Sequence, residues 1–201
     1  MIEVDNFDKI RPMLNFDKKF VYLVWLVKRN KDGNTKAKGN NKNRTIKSYF
    51  FQDIDHFDSR KEEIIALCKL FNCRAYICVN RKPVFNVLLE MSNNINERLR
   101  QVVNDNFTGF NGIVDSAIMK TGSDGNKLWV VDVDTKDEKY IDEIKQIVNS
   151  SRSGFSPVVV DEVPTAHGLH LITHPFDLSN LTLEPEIKKE GLTLLYAYLN
   201  E

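Results

Sequence analysis

The residues of this 201-residue chain best suited to chemistry are two carboxylates at the end of an apolar run, Leu128-Trp-Val-Val-Asp-Val-Asp-Thr135. Side chains two apart on a strand share a face and stand roughly 6.6 Å apart at about 3.3 Å rise per residue. Asp132 and Asp134 therefore look out together at the carboxyl end of a strand. Hard divalent cations take one or two protein carboxylates together with substrate phosphate oxygens, and phosphoryl-transfer sites hold two such ions about 3.5–4 Å apart. The pair suits Mg²⁺ or Mn²⁺ as a metal site. It is equally a helix-capping signal, since Asp134 or Thr135 can cap a helix that begins near Asp137.

About thirty residues on, Val163-Pro-Thr-Ala-His-Gly-Leu-His-Leu-Ile-Thr-His-Pro-Phe-Asp177 carries three of the four histidines. His170 and His174 share a face of an extended strand, but their backbones then lie roughly 13 Å apart, so one zinc ion shared by them requires a sharp bend. A single imidazole is simpler. Gly168 permits close backbone approach, and His170 two residues later can donate to a phosphate oxygen. Arg74 and Arg81 bracket an earlier strand and its exit turn, where each can meet a phosphate or a surface carboxylate.

These groups need elements to hold them. Phe20–Val27 is an apolar, β-branched and aromatic run expected to be a central strand, followed by the basic, glycine-bearing loop Lys28–Arg44, a hairpin tip or a phosphate-neutralising flap. Thr45–Phe51 returns as a strand. Phe57–Asn72 reads as one helix capped by Asp58 or Ser59, Cys73–Val79 as a strand, and Asn80–Pro83 leads into a helix reaching about Asn104. A turn-rich stretch, 105–127, separates residues 1–112 from 113–201. Beyond it the pattern predicts strand (127–134), helix (137–149), strand (156–163), strand (169–173), a connection, and a last strand at Leu192–Tyr198. That order is close to a split βαβ unit. The expected fold is α+β: an RRM-like or ferredoxin-like antiparallel sheet carrying the acids, packed with an N-terminal α/β subdomain in one globular unit.

Composition narrows the classes. Twenty-eight basic and twenty-eight acidic residues cancel, so bulk charge advertises neither a nucleic acid nor a membrane. The amino end lacks a signal peptide's cationic start and apolar run, and no stretch nears the ~20 apolar residues of a span; the expectation is a cytoplasmic protein with no membrane partner. Cys68, Cys73 and Cys78 match no zinc spacing and read as buried free thiols. Neither a phosphate-binding Walker loop nor a dinucleotide fingerprint is present, and no serine or cysteine has a nucleophile's setting.

The order hydrophobic-Asp-x-Asp (Val131-Asp132-Val133-Asp134), then small-x-His (Gly168-Leu169-His170), resembles the archaeo-eukaryotic primase superfamily, including primase-polymerases of phages and mobile elements. The resemblance covers chiefly 127–198. It implies a nucleotidyltransferase that joins a nucleoside triphosphate to a nucleic-acid 3'-hydroxyl by two-metal chemistry. Asp132 and Asp134 would hold Mg²⁺ or Mn²⁺, and His170 the triphosphate, assisted by Thr165, Gly168, Arg74 and Arg81. The implied partners are nucleoside triphosphates, a single-stranded DNA or RNA template and a separately encoded helicase. The family's third acid has two candidates here, Asp177 and Glu190, with Asp177 favoured; its zinc module is absent. Two other classes compete: a single-stranded nucleic-acid or nucleotide-binding protein that does no chemistry, using a basic loop and aromatic strand residues, and a metal-dependent phosphohydrolase or nuclease using the same acids.

Overall fold

Phe20–Lys28 forms β2, buried along most of its length because strands pair on both sides of it. The computed structural model describes residues 1–29, 43–102, 112–125, 127–179, 181 and 185–200. In chain order the strands and helices are β1 (Ile2–Asp5), α1 (Phe7–Ile10), β2, β3 (Arg44–Phe51), α2 (Ile54–Ser59), α3 (Lys61–Phe71), β4 (Arg74–Cys78), β5 (Lys82–Pro83), α4 (Val84–Val102), α5 (Ile113–Lys120), β6 (Trp129–Val133), α6 (Glu138–Ser150), β7 (Val159–Pro164), β8 (Leu169–Thr173), β9 (Glu186–Lys188) and β10 (Leu192–Leu199). The fold is α+β with two antiparallel sheets. One runs β1-β10-β4-β2-β3 with β5 beside β2; the other runs β7-β8-β6-β9. No helix among the described residues is long and apolar enough to cross a membrane.

Three sequence expectations change. Leu192–Tyr198 joins not the sheet bearing Asp132 but the first sheet, as β10 between β1 and β4; the fourth strand of the second sheet is the three-residue β9, which pairs with β6. The helix expected over 57–72 begins earlier and breaks at Arg60, with Asp53 as cap, its Oδ1 accepting from the His56 N–H at 2.7 Å. Ile113–Lys120 is a helix packed on α4 rather than part of a hinge. The expected basic loop and the end of the helix drawn to Asn104 fall largely on residues outside those described.

Alternation explains how the second sheet is held. Val131, Val133 and Leu171 bury one face against Ile141, Ile144 and Val148 of α6 and against Phe176. Val130, Val163 and Ile172, on the other face, join the core of the first sheet with Tyr22, Val24, Leu26 and Leu195. Cys68, Cys73 and Cys78 are buried thiols, as their spacing suggests.

Two buried asparagines stitch the sheets where apolar packing cannot satisfy backbone groups. Asn6 donates from Nδ2 to the carbonyls of Pro164 and Leu194, both at 2.9 Å. Asn80 donates to Leu128 O and accepts from Leu128 N, both at 2.7 Å, copying a strand pairing across the junction. Unmet buried backbone groups are costly, so Asn80→Ala is expected to lower stability by about 1–3 kcal/mol. The measurement is the urea midpoint; an unmoved midpoint would show that this bridge contributes nothing.

Candidate active site

The register of the second sheet assembles the site. Asp132 on β6 stands directly opposite His170 on β8 and Glu186 on β9, and His170 opposite Val163 on β7. One row across four strands therefore reads Val163, His170, Asp132, Glu186. Because Asp132 alternates with Val131 and Val133, it faces away from α6. Here the side of the sheet that buries Val130 and Ile172 opens into a cleft of about 360 Å³, lined by Asp132, Asp134, Thr165, His167, His170 and Lys188 from one sheet and Arg29, Arg74, Tyr76 and Leu194 from the other. Asp132 and Asp134 also wall an adjoining acidic recess with Asp137, Tyr140 and Glu186.

Asp134 is exposed and takes no part in capping. The cap of α6 is Asp137, whose Oδ1 accepts from Lys139 N, while Thr135 Oγ1 accepts from Asp137 N, both at 3.1 Å. His170 is 4 % exposed. Its Nδ1 lies 2.8 Å from the Thr193 hydroxyl and 3.4 Å from the Leu194 backbone N–H. A backbone N–H only donates, so Nδ1 is the acceptor and the neutral ring carries its proton on Nε2. That nitrogen stands 3.3 Å from Asp132 Oδ1, outside hydrogen-bond geometry, and among the described residues Oδ1 is a buried oxygen without a hydrogen-bond partner. The other oxygen, Oδ2, is paired with the Lys188 ammonium.

Gly168 earns its place through backbone rather than ligand. A Cβ there would lie 1.9 Å from Val133 O and 2.7 Å from Thr135 N, so glycine lets the β7–β8 turn rest on the strand end that bears the acids. Thr165 closes that turn: its Oγ1 accepts from Gly168 N at 3.0 Å and its N–H donates to Gly168 O at 2.9 Å.

Two expected site residues lie elsewhere. Arg81 pairs with Asp124 at 2.6 Å, donates to Asn15 O and covers the Phe20 ring; it is absorbed by packing around β5. Asp177 is exposed in the connection after β8, accepts from Ser179 N at 3.0 Å, and does not line the cleft. Glu190 instead bridges Lys82 and Lys127. The three histidines do not converge either, since His174 stacks on Phe155 with ring centroids 4.0 Å apart. Among the described residues no three His, Cys, Asp or Glu side chains gather closely enough to form a metal site by themselves. Arg29 comes from the start of the expected basic loop; sequence reasoning missed Tyr76, Glu186 and Lys188. The polar-apolar-polar alternation Glu186-Ile187-Lys188 was the one available signal for β9.

Burial alone would push the Asp132 carboxyl up, but His170 and Lys188 outweigh it and bring it down from 3.8 to about 2. A depressed folded-state value contributes stability above the unfolded value and loses it as pH falls through the folded one. The stability difference between wild type and Asp132→Asn is therefore expected to narrow as pH drops from about 4 towards about 2, followed by thermal melting at each pH; a constant difference would refute the assignment. Gly168→Ala, with backbone on the side the new methyl must enter, is expected to cost at least about 1–3 kcal/mol, read in the same melts.

No protein-family model, no curated protein and no solved structure matches the chain.

Proposed function

We propose that the chain is a nucleotidyltransferase of the archaeo-eukaryotic primase type, transferring a nucleotidyl group from a nucleoside triphosphate to a nucleic-acid 3'-hydroxyl. The observation that carries this reading is the register partnership of Asp132 with His170 on the wall of a cleft that also holds Asp134, Thr165 and Arg74. Strand order supports it too: β6, α6, β7, β8 and β9 follow one another in the chain and pair as β7-β8-β6-β9, the arrangement of an RRM-like sheet with its second helix replaced by a connection.

The donor set fits a divalent cation held jointly with substrate. Asp132 Oδ1 is buried without a hydrogen bond among the described residues and Asp134 presents an exposed carboxylate to the same cleft; Mg²⁺ or Mn²⁺ would complete such a pair with phosphate oxygens and waters. When bound, it supplies charge neutralisation at the reacting phosphate and a lowered pKa for the attacking hydroxyl. The chain's own groups do the rest. Arg29, Arg74 and Lys188 offer charge-assisted donors to the triphosphate, and Thr165 adds a hydroxyl. His170 is held through Nδ1 by Thr193 and Leu194, which leaves its Nε2–H, beside Asp132 in the cleft, to donate to a triphosphate oxygen. Glu186, opposite Asp132 in the adjoining recess, takes the position expected of Asp177.

The test is incorporation of labelled nucleotide on primed and unprimed templates with Mg²⁺ or Mn²⁺. Asp132→Ala/Asp134→Ala is expected to lower incorporation by at least about a hundredfold while the variant stays folded. Incorporation at the wild-type rate in that variant would sink the assignment, and release of orthophosphate without strand extension would point to hydrolysis instead.

A further inference from the structure

Lys188 stands where neither the acidic nor the histidine motif anticipates a charge. Its Cα pairs with Val130, one row inside Asp132, and its side chain crosses diagonally to Asp132 Oδ2, with Glu186 Oε2 at 3.9 Å. Cross-strand diagonals are within reach of long side chains. The pair is largely withdrawn from water, Lys188 being 26 % and Asp132 11 % exposed in their side chains, and both line the cleft with Arg29, Arg74 and Thr165. A cation approaching Asp132 thus meets a positive charge already in contact with one of its two oxygens. Like charges at contact distance in a partly desolvated site repel strongly. An ammonium on a flexible four-carbon stem can also leave, provided another anion receives it nearby.

We infer that Lys188 is an exchangeable counter-ion. It balances Asp132 until a polyphosphate enters the cleft, then moves to a phosphate oxygen as a divalent cation takes over the carboxylate. Cation and polyphosphate therefore bind as partners: alone, the cation must expel an ammonium whose remaining acceptor is the solvent-exposed Glu186 carboxylate at 3.9 Å, and together they give it a phosphate oxygen inside the cleft. This rests on the reading of the cleft as a site for phosphate and cation, and adds to it an order of assembly built into β9. A coupling of this kind is reciprocal, each ligand raising the affinity for the other.

The experiment compares wild type with Lys188→Met on two probes, Mn²⁺ alone, followed by the spin resonance of the free ion, and the Mn²⁺–tripolyphosphate complex, followed by calorimetry. Lys188→Met is expected to bind Mn²⁺ alone about tenfold more tightly and the complex about tenfold more weakly, the scale of one partly buried charge contact. Misfolding cannot produce that crossed response, because it loosens both. Lys188→Gln is expected to repeat the pattern, and Lys188→Arg, which keeps the charge, to bind Mn²⁺ alone no better than wild type. If wild type binds the complex but Lys188→Met shifts both affinities in the same direction, or neither, the exchange is overturned and the cleft's function stands. If neither protein binds either probe, both fall together.

Discussion

Side chains on a strand alternate, and in β6 the two faces have opposite duties. Val131 and Val133 bury themselves against α6, while Val130 and Asp132 turn to the other side, the first into the core shared with the first sheet and the second onto the cleft. The register with β8 then sets His170 against Asp132. A slip of one residue would drive the carboxylate into the aliphatic layer under α6 and bring a valine to the cleft. The apolar layer thus specifies the position of the polar one, and α6, which buries its stripe beneath the acids, reaches the site only at the adjoining recess through Tyr140.

A carboxylate so far withdrawn from water needs compensation, and the environment of Asp132 is built in tiers. His170 and Lys188 lie against its two oxygens. Behind His170, Thr193 and Leu194 of β10 hold the ring by Nδ1. A bulge between Leu194 and Tyr196 lets the successive residues Leu195 and Tyr196 both join the core while Leu194 lines the cleft. Bulges of this kind re-aim side chains beside functional sites. The acidic strand and the strand that supports its histidine belong to different sheets, which makes the relative placement of the sheets part of the chemistry.

Much of this was legible in the sequence where the signal is local. The run before Asp132, the stripe of α6 and the strand at Leu169–Thr173 follow from apolar periodicity; Asp132, Asp134, His170 and Arg74, singled out by residue type and spacing, and Thr165, implied by the resemblance, all line one cleft. What escaped depended on distant partners. A three-residue strand such as β9 has too few residues to reveal its period, so Lys188 and Glu186 went unnoticed. The run at Leu192–Leu199 has strand character, but nothing within it says which sheet it will enter. Arg81 resembles Arg74 in type and neighbourhood, but Asp124, forty-three positions away, holds it outside the cleft that Arg74 lines. Gly168 was correctly singled out for close approach, although what comes close is the backbone of Val133 and Thr135.

The path of β10 has a consequence for how the molecule comes into being. Residues 196–199 pair with residues 2–5, and 192–197 pair with β4, so the strand that completes the first sheet and steadies His170 is separated from its partners by over a hundred positions. Contacts of such long sequence separation form late, because loop closure must precede their reward. A nascent chain can build the β6–α6 layer from neighbouring residues, but the finished pocket has to wait for β10. Maturation of the site is therefore tied to closure of these long-range pairings rather than to the folding of the segment that bears the acids.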